Sequence, residues 1–242
     1  ISPYRYVGVN FNSQGNPNLK PSDHYNLDLK WDFNPTPTEL ISLTAFYKLI
    51  KNPISRIEVA SAGGYLSYEN IADKATVAGV EIEIRKNLFV RPVSNAAHGM
   101  NKLSLGLNGS YIYTNAKMPL ATVTTGSQLE GAAPWIVNFD LSHNFTKGER
   151  SFVNTLVLNY VSDKIYTIGT QGYQDIMEQG VLTLDFVSQA KLNKHLSLNL
   201  KARNLLNPSY KLSRKANENG EKVILNDYKK GINISLGVSC TF

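Results

Sequence analysis

Four histidines, one cysteine and a scatter of acidic groups are the residues on which catalysis or metal binding could rest. His24, His98, His143 and His195 lie far apart, and none belongs to a His-Glu-x-x-His signature. No nucleophile elbow and no phosphate-cradling, Gly-rich lysine loop occurs. Ser22, Asp23 and His24 supply the residue types of a hydrolytic triad. Neighbours on a strand point to opposite faces, however, so these three make a poor triad. Cys240 stands alone, which excludes an internal disulfide and a thiolate cluster. It reads most simply as a small apolar side chain. With no metal-ligand spacing and no cofactor motif, neither an enzyme nor a cofactor is expected. What remains is binding chemistry in three groups: Tyr65, Tyr68 and Glu69; Tyr166, Tyr173 and Asp175; Tyr210, Arg214 and Lys215. Their rings can stack on sugars or chelates, and their charges can pair with anionic groups.

The elements that would carry these groups follow from a period of two. The chain has 242 residues, 42% of them hydrophobic and 18% charged, with a net charge of +6. That is too apolar for disorder. The cations are scattered rather than clustered, which argues against nucleic acid. No run of about 20 apolar residues is available for a membrane-spanning helix. The chain opens at Ile1 without a basic and then apolar leader, so a mature product or a fragment is expected.

Leu103, Leu105, Leu107, Tyr111 and Tyr113 alternate with Lys102, Ser104, Asn108, Ser110 and Thr114. Ile232, Ile234, Leu236, Val238, Cys240 and Phe242 alternate with polar residues in the same way. A helix would smear both sets around its circumference, so these are strands. Seven further segments repeat the pattern, around 25–33, 41–49, 78–85, 135–145, 151–163, 182–191 and 196–206. Most are longer than the 5–6 residues of an ordinary strand. They match the roughly 9–11 residues that cross a bilayer at a tilt.

The connections are sorted. Short ones, at 34–39, 146–150 and Asn193-Lys194, alternate with long ones at 51–74, 115–133, 164–179 and 207–230, and 89–100 is intermediate. Short turns at one end and long loops at the other are the mark of an outer-membrane barrel. Trp31, Phe33, Phe89, Phe145, Phe152 and Phe242 gather at the short-turn ends, and Tyr25, Tyr47, Tyr111, Tyr113, Trp135 and Tyr160 at the long-loop ends. Two aromatic bands fit two membrane interfaces. The second face carries Asp28, Lys30, Asp32, Glu81, Glu83, Arg85, Lys102, Asp140, Asp185, Lys191, Lys201 and Arg203, which require water or a polar plug. His143 falls on the lipid side and is an anomaly there; Phe145, two residues on, places it towards the interface.

Four stretches carry a resemblance. They are Gly15-Asn16-Pro17-Asn18-Leu19-Lys20-Pro21, Lys74 to Glu83 with its Ala-Thr-x-x-Gly-Val-Glu-x-Glu core, Ala202-Arg203-Asn204-Leu205-Leu206-Asn207-Pro208-Ser209-Tyr210, and the terminal Gly231 to Phe242. In this order and spacing the chain resembles TonB-dependent outer-membrane receptors over residues 15–242. The resemblance implies an all-β, antiparallel transmembrane barrel. The nine to ten strands here would be the C-terminal part of 22, with residues 1–242 one barrel segment and the plug domain absent from it.

The implied function is energy-coupled uptake of a scarce ligand such as a metal chelate, glycan or peptide across the outer membrane of a Gram-negative bacterium. The implied partners are outer-membrane lipid, a periplasmic coupling protein acting through the plug, the barrel-assembly machinery reading Phe242, and a surface lipoprotein. The alternative from the residues alone is a closed, ten-stranded stand-alone barrel, structural or a passive pore, with residues 3–11 as its tenth strand.

Overall fold

The computed structural model describes residues 5–7, 11–59, 65–93, 99–118, 127–216 and 220–241. Its strands, in chain order, are β1 (Arg5–Val7), β2 (Asn12–Gln14), β3 (Asp23–Phe33), β4 (Leu40–Lys51), β5 (Ile54–Val59), β6 (Tyr65–Asn70), β7 (Lys74–Pro92), β8 (Met100–Ala116), β9 (Trp135–Lys147), β10 (Arg150–Val161), β11 (Lys164–Thr167), β12 (Ile176–Glu178), β13 (Val181–Lys191), β14 (Leu196–Arg203), β15 (Ser209–Lys215), β16 (Lys222–Lys229) and β17 (Asn233–Cys240). No helix among the described residues is long and apolar enough to cross a membrane, which says nothing of crossing by strands.

Nine strands form one sheet in the order β17-β14-β13-β10-β9-β8-β7-β4-β3. Each expected alternating segment is one strand of this wall. All its pairings are antiparallel, because every wall strand returns beside its predecessor. The register keeps the alternation in phase across strands. Phe33, Ile41, Ile84, Leu107, Phe139, Leu158 and Leu184 lie in one continuous cross-strand row. A one-residue slip would send that whole row to the charged face. Leu43 and Val80, on strands paired along both edges, are still 48% exposed each, as expected where lipid rather than protein covers a face.

Three details differ from the sequence reading. β7 and β8 run to 19 and 17 residues, so the connection expected at 89–100 shrinks. A bulge between Asn87 and Phe89 lets β7 continue past a break in period. β14 stops at Arg203 rather than 206 because Asn204 adopts φ 58°, the left-handed region that ends a strand. Arg5–Val7 pairs with Asn12–Gln14, while β17 bonds only to β14 and β3 only to β4. The ten-stranded closure is therefore not formed among the described residues. Phe242 and His98 lie outside the described residues.

The β9–β10 turn is the tightest at the short-turn end. Lys147 sits opposite Arg150, leaving Gly148 and Glu149 as a two-residue loop. Gly148 has φ 60°, the geometry for which a type II′ hairpin selects glycine at its first central position.

At the other end the long connections contain strands of their own. β1-β2-β6-β5 form one small sheet and β11-β12-β15-β16 another. The buried apolar cluster lies at this end: Ile57, Ile71, Ala72, Leu129, Ile165 and Ile168 come from the loop layer, and Ala75 and Ala116 from the loop-side ends of β7 and β8. The wall needs no such core, since its apolar face is turned outwards. The loop layer meets water and must bury its own.

Candidate functional site

The loop layer is held together around β5. Its sequence, Ile-Ser-Arg-Ile-Glu-Val, alternates, so Ser55 and Ile57 are buried on one side while Arg56 and Glu58 share the other. Ile57 bridges Ile168 in parallel, with Glu58 N–H donating to the Ile168 carbonyl and Ile168 N–H to the Arg56 carbonyl, both at 3.1 Å. That brings the segment after β11 against the β5–β6 hairpin.

The two charges of β5 each meet an opposite charge from another connection. Arg56 pairs with Glu130 at 3.0 Å, and the second Glu130 carboxylate oxygen accepts the Arg56 backbone N–H at 2.8 Å. The same guanidinium lies 3.9 Å from the Tyr166 ring centroid and donates to the Tyr166 carbonyl. Glu58 pairs with Arg214 of β15, whose guanidinium stands 5.3 Å from the Tyr173 ring. Both ion pairs are largely withdrawn from water, and Arg56–Glu130 is doubly bonded, the condition under which charges hold structure rather than merely decorate a surface.

The Gly15 to Pro21 stretch is explained by the same layer. Asn16 Oδ1 accepts the Asn18 N–H at 2.9 Å, while its Nδ2 donates to the Tyr68 carbonyl at 2.9 Å. Asn70 closes the other side, accepting the Lys20 N–H at 2.8 Å and donating to the Lys20 carbonyl at 3.1 Å. The stretch thus fastens the β5–β6 hairpin to the start of β3.

The nine binding candidates fall into three places. Tyr166, Tyr173, Asp175 and Arg214 converge with β5; Asp175 accepts the Gly169 N–H at 2.8 Å, and the Thr170 to Tyr173 turn closes with a 3.1 Å hydrogen bond. Tyr65, Tyr68 and Glu69 lie along β6, where Tyr68 faces Arg56 across the hairpin and Tyr65 faces Val59. Glu69 lines a separate hollow of about 360 Å³ with Lys20, Asp73 and Lys117. Tyr210 stacks on Tyr228 at 5.5 Å and has the Lys230 ammonium 3.8 Å from its ring. Lys215 lines a cavity of about 300 Å³ with Asp163, Gln174, Asp175, Met177, Ser213 and Lys222. Lys215 and Lys222 are directly opposed across β15 and β16.

Sequence reasoning missed Arg56, Glu58, Glu130 and Lys222. Alternation over 54–59 was the available signal for the first two. Nothing local marks Glu130, whose partner arrives from a distant connection, or Lys222, which only the β15–β16 register sets opposite Lys215. Among the described residues no three His, Cys, Asp or Glu side chains come together as a metal site.

The wall's charged inner face also gathers groups. Glu83, Arg85, Lys102 and Asp140 line a hollow of about 280 Å³ with Asn87, Ser104, Asn108 and Asn138. Arg85 bonds Glu83 at 2.6 Å. Such a surface suits water or a polar insert.

Over residues 2–205 the chain matches the family described as TonB dependent receptor-like, beta-barrel. No curated protein and no solved structure matches it. The match covers every wall strand but β17, and the loop layer except β15 and β16. The chain belongs to the TonB-dependent receptor β-barrel family, Gram-negative outer-membrane receptors and transporters that work with TonB and are not enzymes.

Proposed function

We propose that this chain is the C-terminal arc of a TonB-dependent importer's barrel, and that its tied loop layer helps to capture a scarce ligand, a metal chelate, glycan or peptide. The observation that carries the reading is the open nine-stranded wall, in which β3 and β17 each keep one edge without a partner among the described residues. An exposed edge of this length is unstable in a bilayer, where every backbone group must be bonded. Further strands, up to 22 in all, would close it around a plug. A periplasmic coupling protein would act through that plug, the barrel-assembly machinery would read Phe242, and a surface lipoprotein would cover the loops.

Ligand contact centres on the cavity between β12, β15 and β16. Lys215 and Lys222 oppose each other directly, a like-charge pair that an anionic ligand group relieves. Tyr65 and Tyr68 on the β5–β6 hairpin and Tyr210 at the start of β15 extend the surface, and Glu69 offers a second contact in its own hollow. Asp175 lines the cavity itself, and Tyr166, Tyr173 and Arg214 tie the adjoining segments to β5.

The test is uptake by cells carrying the intact receptor. Isotope-labelled ferric chelates, oligosaccharides and peptides are offered with the proton-motive force intact or collapsed. One class should accumulate only in energised cells that contain TonB. Lys215→Glu with Lys222→Glu should weaken its capture about tenfold or more. Uptake indifferent to the proton-motive force, or recovery of the protein in a detergent-free soluble extract, would overturn the reading.

A further inference from the structure

The outward face of the wall carries a polar interruption that neither ligand capture nor barrel closure requires. Between β8 and β13 one cross-strand row reads Leu105, Leu141, Leu156, Phe186. The next row towards the short turns reads Leu103, His143, Asn154, Ser188, and the one after it Asn101, Phe145, Phe152, Ala190. Four polar side chains on four adjacent strands thus share the face of the leucines. They bond in two pairs: His143 Nε2 with Asn101 Oδ1 at 2.8 Å, and Ser188 Oγ donating to Asn154 Oδ1 at 2.7 Å. Those bonds use the acceptor ends of both asparagines. Neither carboxamide NH2 group has an acceptor among the described residues, and hydrocarbon would leave both unsatisfied.

Cations sit beside and just beyond this patch. Arg91 pairs across the sheet with Asn101 and lies 5.4 Å from the Phe89 ring. Lys147 and Arg150 face each other at the β9–β10 turn, two residues beyond Phe145 and Phe152 and on their side of the sheet. None of the three cations has a carboxylate partner among the described residues; Glu149 in the turn is the nearest acid in sequence. A directly opposed Lys147–Arg150 pair is unfavourable unless an anion lies between them.

We propose that this patch is a headgroup site for an anionic glycerophospholipid of the leaflet at the short-turn end. The inference rests on the lipid-facing reading of the wall. Arg91, Lys147 and Arg150 hold the phosphate at the interface. The Asn101 and Asn154 amides, one to two rows deeper and about 7 Å apart per row along the strand, donate to the glycerol ester carbonyls. Phe145 and Phe152, with centroids 6.4 Å apart, floor the space between. Charge decides against a second copy of the chain as occupant: a two-fold contact through this patch would set the three cations against themselves.

The experiment uses the intact receptor in phosphatidylcholine nanodiscs with phosphatidylglycerol added, and reads retained lipid by native mass spectrometry. The wild type should retain phosphatidylglycerol over phosphatidylcholine. Each of Arg91→Gln, Lys147→Gln and Arg150→Gln should weaken that preference about fivefold. Asn154→Leu, an apolar change that the bilayer tolerates, should weaken it while the barrel stays folded. Lys194→Gln, which removes a cation from the other turn at the same end, should leave it unchanged. The proposal falls if the wild type shows no preference, or if Lys194→Gln acts like Arg150→Gln, which would mean diffuse charge only. It also falls if lipopolysaccharide displaces the bound lipid, or if the patch instead mediates a dimer that Asn154→Leu dissociates. Failure of the protein to enter nanodiscs at all would instead overturn the lipid-facing reading beneath it.

Discussion

The Arg56 guanidinium meets the Glu130 carboxylate at 3.0 Å, and the other carboxylate oxygen accepts the Arg56 backbone N–H at 2.8 Å. One acid thus fixes both the backbone and the side chain of a residue 74 positions away. Because Arg56 also bonds the Tyr166 carbonyl, three connections that would otherwise move independently become one body. Arg56→Lys keeps the charge but cannot form the planar, multiply bonded arrangement. It should cost about 1.5–3 kcal/mol of local stability. The expected outcome is faster amide exchange and protease cleavage in 51–59, 127–134 and 164–179, with the wall unaffected. Unchanged exchange in those segments would show that the pair is ornamental.

Gly79 lies in the motif of β7, and its place is set by Phe46. A Cβ at Gly79 would fall on the Phe46 ring and on the Tyr111 carbonyl oxygen. The ring can swing aside, but the carbonyl belongs to the β7–β8 pairing and cannot. Gly79→Ala should therefore destabilise the folded barrel by about 1–3 kcal/mol through overpacking. Gly109 is the contrasting case, since its nearest neighbour would be Ile82 Cγ2 at an ordinary 3.6 Å. Gly109→Ala should be neutral, or stabilising by about 0.4–1 kcal/mol through the unfolded chain. Heat-modifiability on a gel, with midpoints compared in one detergent, reads both. Equal effects at the two glycines would refute the packing account.

Asn204 joins three strands at the edge of the wall. Its N–H donates to Asp185 Oδ1 at 2.8 Å, its Nδ2 to the Gly231 carbonyl at 2.7 Å, and Asn207 Oδ1 accepts the Gly231 N–H at 3.1 Å. Asn204→Gly keeps the left-handed backbone and loses one hydrogen bond, about 0.5–1.5 kcal/mol. Asn204→Ala loses the same bond and adds about 1–2 kcal/mol of backbone strain. The order wild type, glycine, alanine should appear in the thermal midpoint and in exchange along β17. An alanine variant as stable as the glycine variant would exclude the strain term.

The wall was legible because its determinants are local. Alternation in 101–114 or 232–240 names a strand and its face without any partner, and the lipid-facing face has no long-range packing to specify. The motifs were visible as strings, but not their reasons. Asn204 reads as a strand residue until Gly231, 27 positions on, arrives to bond it. The loop layer was opaque for the same reason. Glu58 meets Arg214 across 156 positions, and no periodicity in either segment announces the other. His143 was legible as an anomaly only; its Asn101 partner appears once the register of β8 and β9 is known.

The short-turn end offers a pH test through Glu39, which lies in the turn before β4. The β4–β7 pairing ends at Leu40 and Arg85, so β4 offers no carbonyl to Asn87, two residues on, and Glu39 Oε1 accepts the Asn87 N–H at 3.0 Å instead. Asn87 Nδ2 also donates to Thr38 Oγ1 at 2.8 Å, so the turn holds Asn87, the residue before the bulge, by backbone and side chain. The Asn87 N–H, first, and then the Lys86 ammonium 3.9 Å away hold the Glu39 carboxyl below its ordinary range. A depressed carboxyl stabilises the folded turn at pH above the unfolded value, near 4.3, and that stabilisation is lost as pH falls through the lower folded value. The protection factor of the Asn87 amide should therefore be flat from neutrality down to about pH 5 and fall below that. In Glu39→Gln the acceptor is neutral at every pH, so protection should be lower throughout and lack the acid step. Site-resolved exchange in the intact barrel decides it: an acid step that survives in Glu39→Gln assigns the titration to another group.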